Sequence, residues 1–158
     1  MGTSMIEVKF KKLQPNALLP RQGTEESIGY DLHAYLLTAE GRPSKKLIPP
    51  HSTFNVSTGI ALETPPGYFA TVCSRSGLAK LSVSVCNSPG IIDPDYRGEI
   101  RVLLHNSGFE YATIHHEDRI AQLIFFPATY IQVVEVSELS KTERSEKGLG
   151  STGGFGGN

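Results

Sequence analysis

The run Gly90-Ile91-Ile92-Asp93-Pro94-Asp95-Tyr96-Arg97-Gly98-Glu99-Ile100 places two aspartates and a tyrosine in a turn between apolar segments. Such a turn has the composition of an ordinary surface hairpin, where Asp and Pro set the backbone. It is also what a pocket wall carrying a base would need. Asp93 directly follows two large apolar residues and therefore starts close to a core. A carboxylate with a reference pKa of about 4 is ionised at neutral pH but is a weak base. Positioning would have to supply most of its effect.

Three further segments could serve a phosphorylated ligand. In Ser74-Arg75-Ser76-Gly77-Leu78-Ala79, Ser76 is either a helix N-cap or, with the Gly77 N–H, a phosphate ligand at a short helix start. Gln122 lies in the apolar run 120–126, behind the charged turn Glu117-Asp118-Arg119, and a buried amide must find partners in backbone or in a polar ligand. Asp31 in Gly29-Tyr30-Asp31-Leu32 either accepts a structural backbone hydrogen bond or stands behind a metal.

The stretch 141–158, KTERSEKGLGSTGGFGGN, cannot bury enough apolar surface to order itself and reads as a flexible C-terminal arm. Arg144, Ser151, Thr152, many unhindered backbone N–H groups and one aromatic ring are nonetheless parts that could wrap a phosphorylated, ring-bearing ligand. Its Gly148-Leu149-Gly150-Ser151-Thr152-Gly153 is a literal G-x-G-x-x-G. A dinucleotide fold needs that pattern between a strand and a helix, with an acidic residue about twenty positions on, and here five residues remain. There is no Gly-Lys-Ser/Thr of a P-loop either.

The elements that must hold these residues are strands. Helical periodicity is almost absent, and short β-branched and aromatic runs are punctuated by ten prolines and sixteen glycines. Candidate strands cover 6–10, 30–36, 53–62, 68–72, 82–85, 99–105, 112–115, 120–126 and 130–136, with one brief helix after Ser76. The near-continuous apolar run 120–126 predicts a strand buried on both faces. The spacing predicts an all-β sandwich, jelly roll or barrel in one domain of 158 residues. Residues 1–4 read as a vector-derived leader, 5–140 as the β domain and 141–158 as the arm.

A net charge of −1 argues against nucleic-acid or membrane binding by bulk electrostatics. Lys9, Lys11, Lys12, Lys45 and Lys46 fit solvated strand edges. Cys73 and Cys86 lack metal-type spacing and read as reduced core thiols. No run is apolar enough for a signal peptide or membrane span. These features predict a soluble protein of a reducing compartment, cytoplasmic or, for a eukaryotic or viral source, nuclear or within the host cell.

In this order and at these spacings the segments closely resemble the five signature motifs of the trimeric dUTP diphosphatase (dUTPase) family. The motifs correspond to 29–32, 75–79, 90–98, 118–124 and 144–153, so the resemblance covers most of the chain. It implies a jelly-roll-like β-barrel subunit with one short helix and a C-terminal arm, and a homotrimer whose three active sites each draw on all three chains. It implies hydrolysis of dUTP to dUMP and pyrophosphate, with Mg²⁺ held mainly by the triphosphate, which lowers dUTP and supplies dUMP for thymidylate synthesis. On this resemblance Asp93 matches the carboxylate that activates the attacking water at the α-phosphorus. Tyr96 matches the ring that packs on deoxyribose and excludes a 2′-hydroxyl. Asn87, with hairpin backbone atoms such as those of Gly90 and Ile92, matches the reader of the uracil edge. Ser76, Gly77 and Gln122 match phosphate ligands, Arg75 belongs to the same motif as the first two, and Asp31 matches a carboxylate that reaches the metal through water. Arg144, Ser151 and Thr152, beside Gly150, match a γ-phosphate clamp.

The chain departs from the family pattern at four places. Ser74 replaces a usual proline, His33 a small residue and Ser145 a glycine, while Leu149 stands where a phenylalanine covers uracil. A second register on Gly153-Gly154-Phe155-Gly156 restores the aromatic ring but loses Arg144 and the Ser-Thr pair. Two rivals remain. A dCTP deaminase of the same fold would need an acid/base carboxylate near cytosine C4 and usually lacks the tyrosine, so Tyr96 opposes it. A non-catalytic trimer that binds nucleotide or a partner protein would use the same scaffold.

Overall fold

In the strand Arg101–Asn106, Val102, Leu104 and Asn106 are buried while Arg101, Leu103 and His105 are not, the two-residue alternation of a half-buried sheet. The computed structural model describes residues 5–142. Over these it holds twelve strands and one helical turn. They run β1 Lys9–Lys12, β2 Arg21–Gln22, β3 Tyr30–His33, β4 Lys45–Ile48, β5 Ser52–Ser57, β6 Ile60–Glu63, β7 Tyr68–Cys73, α1 Ser76–Ala79, β8 Val83–Val85, β9 Gly90–Ile92, β10 Arg101–Asn106, β11 Ala112–His115 and β12 Arg119–Pro127. The all-β expectation is met.

The largest sheet has the order β2-β3-β12-β7-β9, and a second has β5-β10-β8; β1 pairs with β6 and β11 with β4. Every pairing is antiparallel. Leu32, Val56, Ile60, Val102, Leu104, Ile120 and Leu123 are essentially inaccessible and form one core between the sheets. β12 lies between β3 and β7, which sets Gln122 opposite both Asp31 and Cys73.

Several sequence expectations change. The single strand over 53–62 is two, β5 and β6, divided at Thr58 and Gly59, where Gly59 has φ +69°. A Cβ there would lie 2.9 Å from the Ala17 Cβ, so a side chain is excluded by crowding as well as by conformation. The first strand sits at Lys9–Lys12 rather than 6–10, and β2, β4 and β9 were not expected. β12 is buried at Ile120, Ala121 and Leu123, but Phe126 near its end is exposed and stacks on Phe69 at 5.7 Å, so burial on both faces holds only for its first half. Segment 130–136 forms no strand, and Ile131 and Val133 are more than 80% exposed. The thiols are free, as expected, but Cys73 is only partly buried and Cys86 is exposed, so neither is a core thiol. Among the described residues no helix is long and apolar enough to cross a membrane.

Among the described residues the one buried side-chain amide is a fastener. Asn106, 1% exposed, donates through Nδ2 to the carbonyls of Ile48 at 3.0 Å and Glu110 at 2.7 Å, and its Oδ1 accepts from the Gly108 N–H at 2.9 Å. It thereby ties the end of β4 to the loop after β10. Asn106→Ala leaves those groups without partners in a dry place, and the expected loss is roughly 3 kcal/mol of folding stability, read from denaturant unfolding.

Candidate active site

β7 ends at Cys73, and the chain turns through Ser74 and Arg75 into α1. Arg75, in extended conformation, is the N-cap residue and makes no side-chain cap bond, so Ser76 is the first helical residue and not the cap. Its hydroxyl is left for another partner. Ser74 Oγ instead accepts the Val85 N–H at 2.9 Å, and the Ser74 carbonyl accepts Gln122 Nε2 at 3.0 Å.

Gly29, Asp31, Arg75, Ser76, Gly77, Arg119 and Gln122 line one open cleft of about 230 Å³. Gln122 thus meets both demands of its sequence setting, bonding to backbone and facing a polar cleft. Gly29 makes room for it, since a Cβ at that position would lie 2.3 Å from Gln122 Oε1.

Among the described residues no backbone N–H donates to the Asp31 carboxylate. Arg75 forms an ion pair with it, Nε lying 2.8 Å from Oδ1 and Nη2 donating to Oδ2 at 3.4 Å, and Arg119 Nη1 lies 3.5 Å from Oδ2. Arg75 also reaches the Arg119 carbonyl at 3.4 Å. The two guanidiniums make the cleft electropositive around one carboxylate, an arrangement suited to polyanions. His33, opposite Arg119 on β3, adds no further cation. Burial, set against the raising influence of Asp31, moves its pKa below the ordinary histidine value, and its Nδ1 is buried without a partner among the described residues.

A second cleft, of about 190 Å³, is lined by Val72, Asn87, Gly90, Ile92, Tyr96, Glu99 and Arg101 among others. Gly90 and Ile92 are anchored by β9 pairing with β7 at Val72 and Ala70. A Cβ on Gly90 would approach Asn87 Nδ2 to 3.0 Å, so glycine lets the amide lie against the strand. After β9 the chain reverses, with the Tyr96 N–H donating to the Asp93 carbonyl at 3.1 Å and Arg97 Nη1 donating to the Pro94 carbonyl at 2.7 Å. Asp93 follows buried Ile92 but is itself exposed, where a carboxylate can meet water, and it lines neither cleft.

Glu99 holds the base of this hairpin. Its carboxylate accepts from the Ser57 hydroxyl, from the Gly59 N–H at 2.8 Å and from Arg101 Nη1 at 2.9 Å. Burial pushes its carboxyl up, and these donors outweigh that push and hold it below the ordinary glutamate value.

The sequence-predicted set therefore divides. Arg75, Ser76, Gly77, Gln122 and Asp31 share one cleft, and Asn87, Gly90, Ile92 and Tyr96 another, with no lining residue in common. Arg144, Leu149, Gly150, Ser151 and Thr152 lie outside the described residues. Arg119, Glu99 and Gly98 were not among the expected site residues. Arg119 stood in the charged turn before β12, but only the ladder brings it to Asp31. A larger cleft of about 450 Å³, walled by Leu78, Leu81, Val83 and Ile114, shares only Arg75 with the expected set. Among the described residues no three His, Cys, Asp or Glu side chains cluster as a metal site. The lone Asp31 carboxylate fits a cation that brings most of its ligands with its substrate.

The dUTPase family profile matches residues 16–153, through the glycine-rich segment. The deoxyuridine 5′-triphosphate nucleotidohydrolase of Nautilia profundicola is 43% identical over 149 residues, which cover 94% of this chain and 99% of the relative. That of a Hydrogenobaculum species is 45% identical with the same coverage. Among solved structures, a mutant dUTPase of Staphylococcus bacteriophage 80alpha with dUpNHpp superposes with a TM-score of 0.80 at 23% identity, over 93% of this chain and 98% of that one. This likeness assigns the jelly-roll fold.

Proposed function

The chain belongs to the dUTPase family, and on that premise we propose that it hydrolyses dUTP to dUMP and pyrophosphate, lowering dUTP and supplying dUMP for thymidylate synthesis. The observation that carries the reading is the first cleft, where Ser76, Gly77, Arg75 and Gln122 gather donors around a single carboxylate. Three phosphates need distributed donors, and these residues supply both neutral and charged ones.

In the proposed reaction Asp93 accepts a proton from water as the water oxygen attacks the α-phosphorus. The bond from that phosphorus to the bridging oxygen breaks, and pyrophosphate leaves with the electron pair. Arg75, Ser76, the Gly77 N–H and Gln122 hold the phosphate oxygens and take up the charge that develops on the leaving group. Mg²⁺, carried mainly on the triphosphate, supplies further charge neutralisation when bound. Asp31 would contact it through water once its carboxylate is shared away from Arg75 and Arg119. Asn87 and the backbone of Gly90 and Ile92 read the uracil edge. Cytosine reverses the donor and acceptor at positions 3 and 4, and thymine crowds the strand at C5.

A homotrimer with shared sites is part of the proposal. The phosphate and base clefts are separate on one chain, and the segment after β12 presents Tyr130, Ile131, Val133, Val134 and Leu139 to solvent, an apolar stretch suited to burial against another copy. Residues 5–140 would form the β domain and 141–158 an arm closing a neighbour's site.

Pyrophosphate release with Mg²⁺ across dUTP, dTTP, dCTP and UTP tests the assignment. Turnover is expected with dUTP and at least about 100-fold less kcat/KM with the other three. Ammonia release from dCTP would replace it with the deaminase reading.

A further inference from the structure

We propose that Gly98 and Glu99 are positioning residues that set how sharply this site distinguishes deoxyribose from ribose; the inference rests on the reading of Tyr96 as the sugar wall. A wall can reject one added hydroxyl only if it cannot yield. An apolar surface that gives way discriminates poorly against a ligand bearing one extra oxygen. Tyr96 is 46% exposed, so burial alone does not fix its ring.

Two neighbours fix it instead. The ring folds back over its own turn onto Gly98, where a Cβ would lie 2.4 Å from Tyr96 Oη, 2.5 Å from Cζ and 3.0 Å from Cε2. These are atoms of a rigid ring, not the end of a flexible chain, so any side chain at 98 must lift the ring or shift the hairpin. The tyrosine hydroxyl then donates to the Glu99 carbonyl at 3.0 Å. That carbonyl is itself held in place, because the Glu99 carboxylate is tied to Ser57, Gly59 and Arg101. Arg101 is in turn fixed by Asn55 Oδ1 at 3.0 Å from its Nε. The ring is thus referred through Glu99 to the end of β5 and the turn into β6, away from the tip of its own hairpin.

Steady-state kinetics of the full chain with dUTP and UTP test this through the ratio of the two kcat/KM values. Gly98→Ala is expected to lower the dUTP preference about tenfold or more, chiefly by raising activity on UTP relative to dUTP. Glu99→Ala should lower it several-fold, and Glu99→Gln, which keeps an acceptor for Ser57 and Gly59, should restore most of it. A purely structural role would depress both substrates together and leave the ratio unchanged, which overturns the inference. If Gly98→Ala does not fold, Tyr96→Phe decides, since it removes only the bond to Glu99 and should still relax the ratio; an unaltered ratio there also overturns it. A wild-type chain inactive on dUTP would instead sink the functional reading beneath, whereas selective wild type with equally selective variants would sink this inference alone.

Discussion

Asp93→Asn is expected to leave a folded chain that still binds dUTP but releases pyrophosphate about 100- to 10,000-fold more slowly. The substitution keeps size and shape and removes only the ability to accept a proton. Its structural cost should be small, because no hydrogen bond or ion pair among the described residues uses the Asp93 carboxylate. What the hairpin takes from this residue is its backbone carbonyl, which receives the Tyr96 N–H. The side chain sits exposed just past the end of β9, between buried Ile92 and Pro94. With size and shape conserved, the loss measures how well the carboxylate is placed. Single-turnover pyrophosphate release, with binding followed by calorimetry and folding by thermal melting, separates the three quantities. Turnover near the wild-type rate would remove Asp93 as the base.

The parts of this molecule legible in its sequence are those decided by short-range pattern. Residues 112–115 alternate and form β11 over that span, and the helical turn starts at Ser76 beside its glycine. β2 and β4 are not legible locally because RQ and KKLI carry little strand pattern of their own, and they become strands by pairing with β3 and β11. The split of 53–62 was hidden inside a β-branched stretch, where Gly59 alone marks the turn. Segment 130–136 shows the opposite failure. Its β-branched residues look like a strand, but a strand needs a ladder, and the described chain offers it none.

The same distinction runs through the site. Ser76, Gly77, Gln122 and Asp31 could be named from type and spacing, but the pairing of Asp31 with Arg75 and Arg119 depends on the register of β3 against β12. Glu99 is also illegible locally, for its hydrogen-bond partner Ser57 lies 42 residues away.

Removal of residues 142–158 is expected to lower kcat for dUTP about 100-fold or more while leaving folding and oligomeric state unchanged. The core among the described residues runs from Ala17 to Leu123, and the exposed apolar segment proposed to meet another copy ends before residue 142. What is lost is Arg144, Ser151 and Thr152, donors that the family resemblance assigns to the γ-phosphate, the one farthest from the reacting bond. Binding energy remote from the chemistry can be used to order the site and fix the nucleophile, so its loss shows in kcat and not only in KM. Removal of a single well-placed donor at a developing charge can cost about 100-fold, and here three side chains go together with the backbone N–H groups between them. The product supplies the control. dUMP has no γ-phosphate, so its affinity should change little on truncation, whereas that of a non-hydrolysable dUTP analogue should fall. If kcat and analogue affinity both stay at wild-type values, the segment has no part in the site and the described clefts must hold the triphosphate alone.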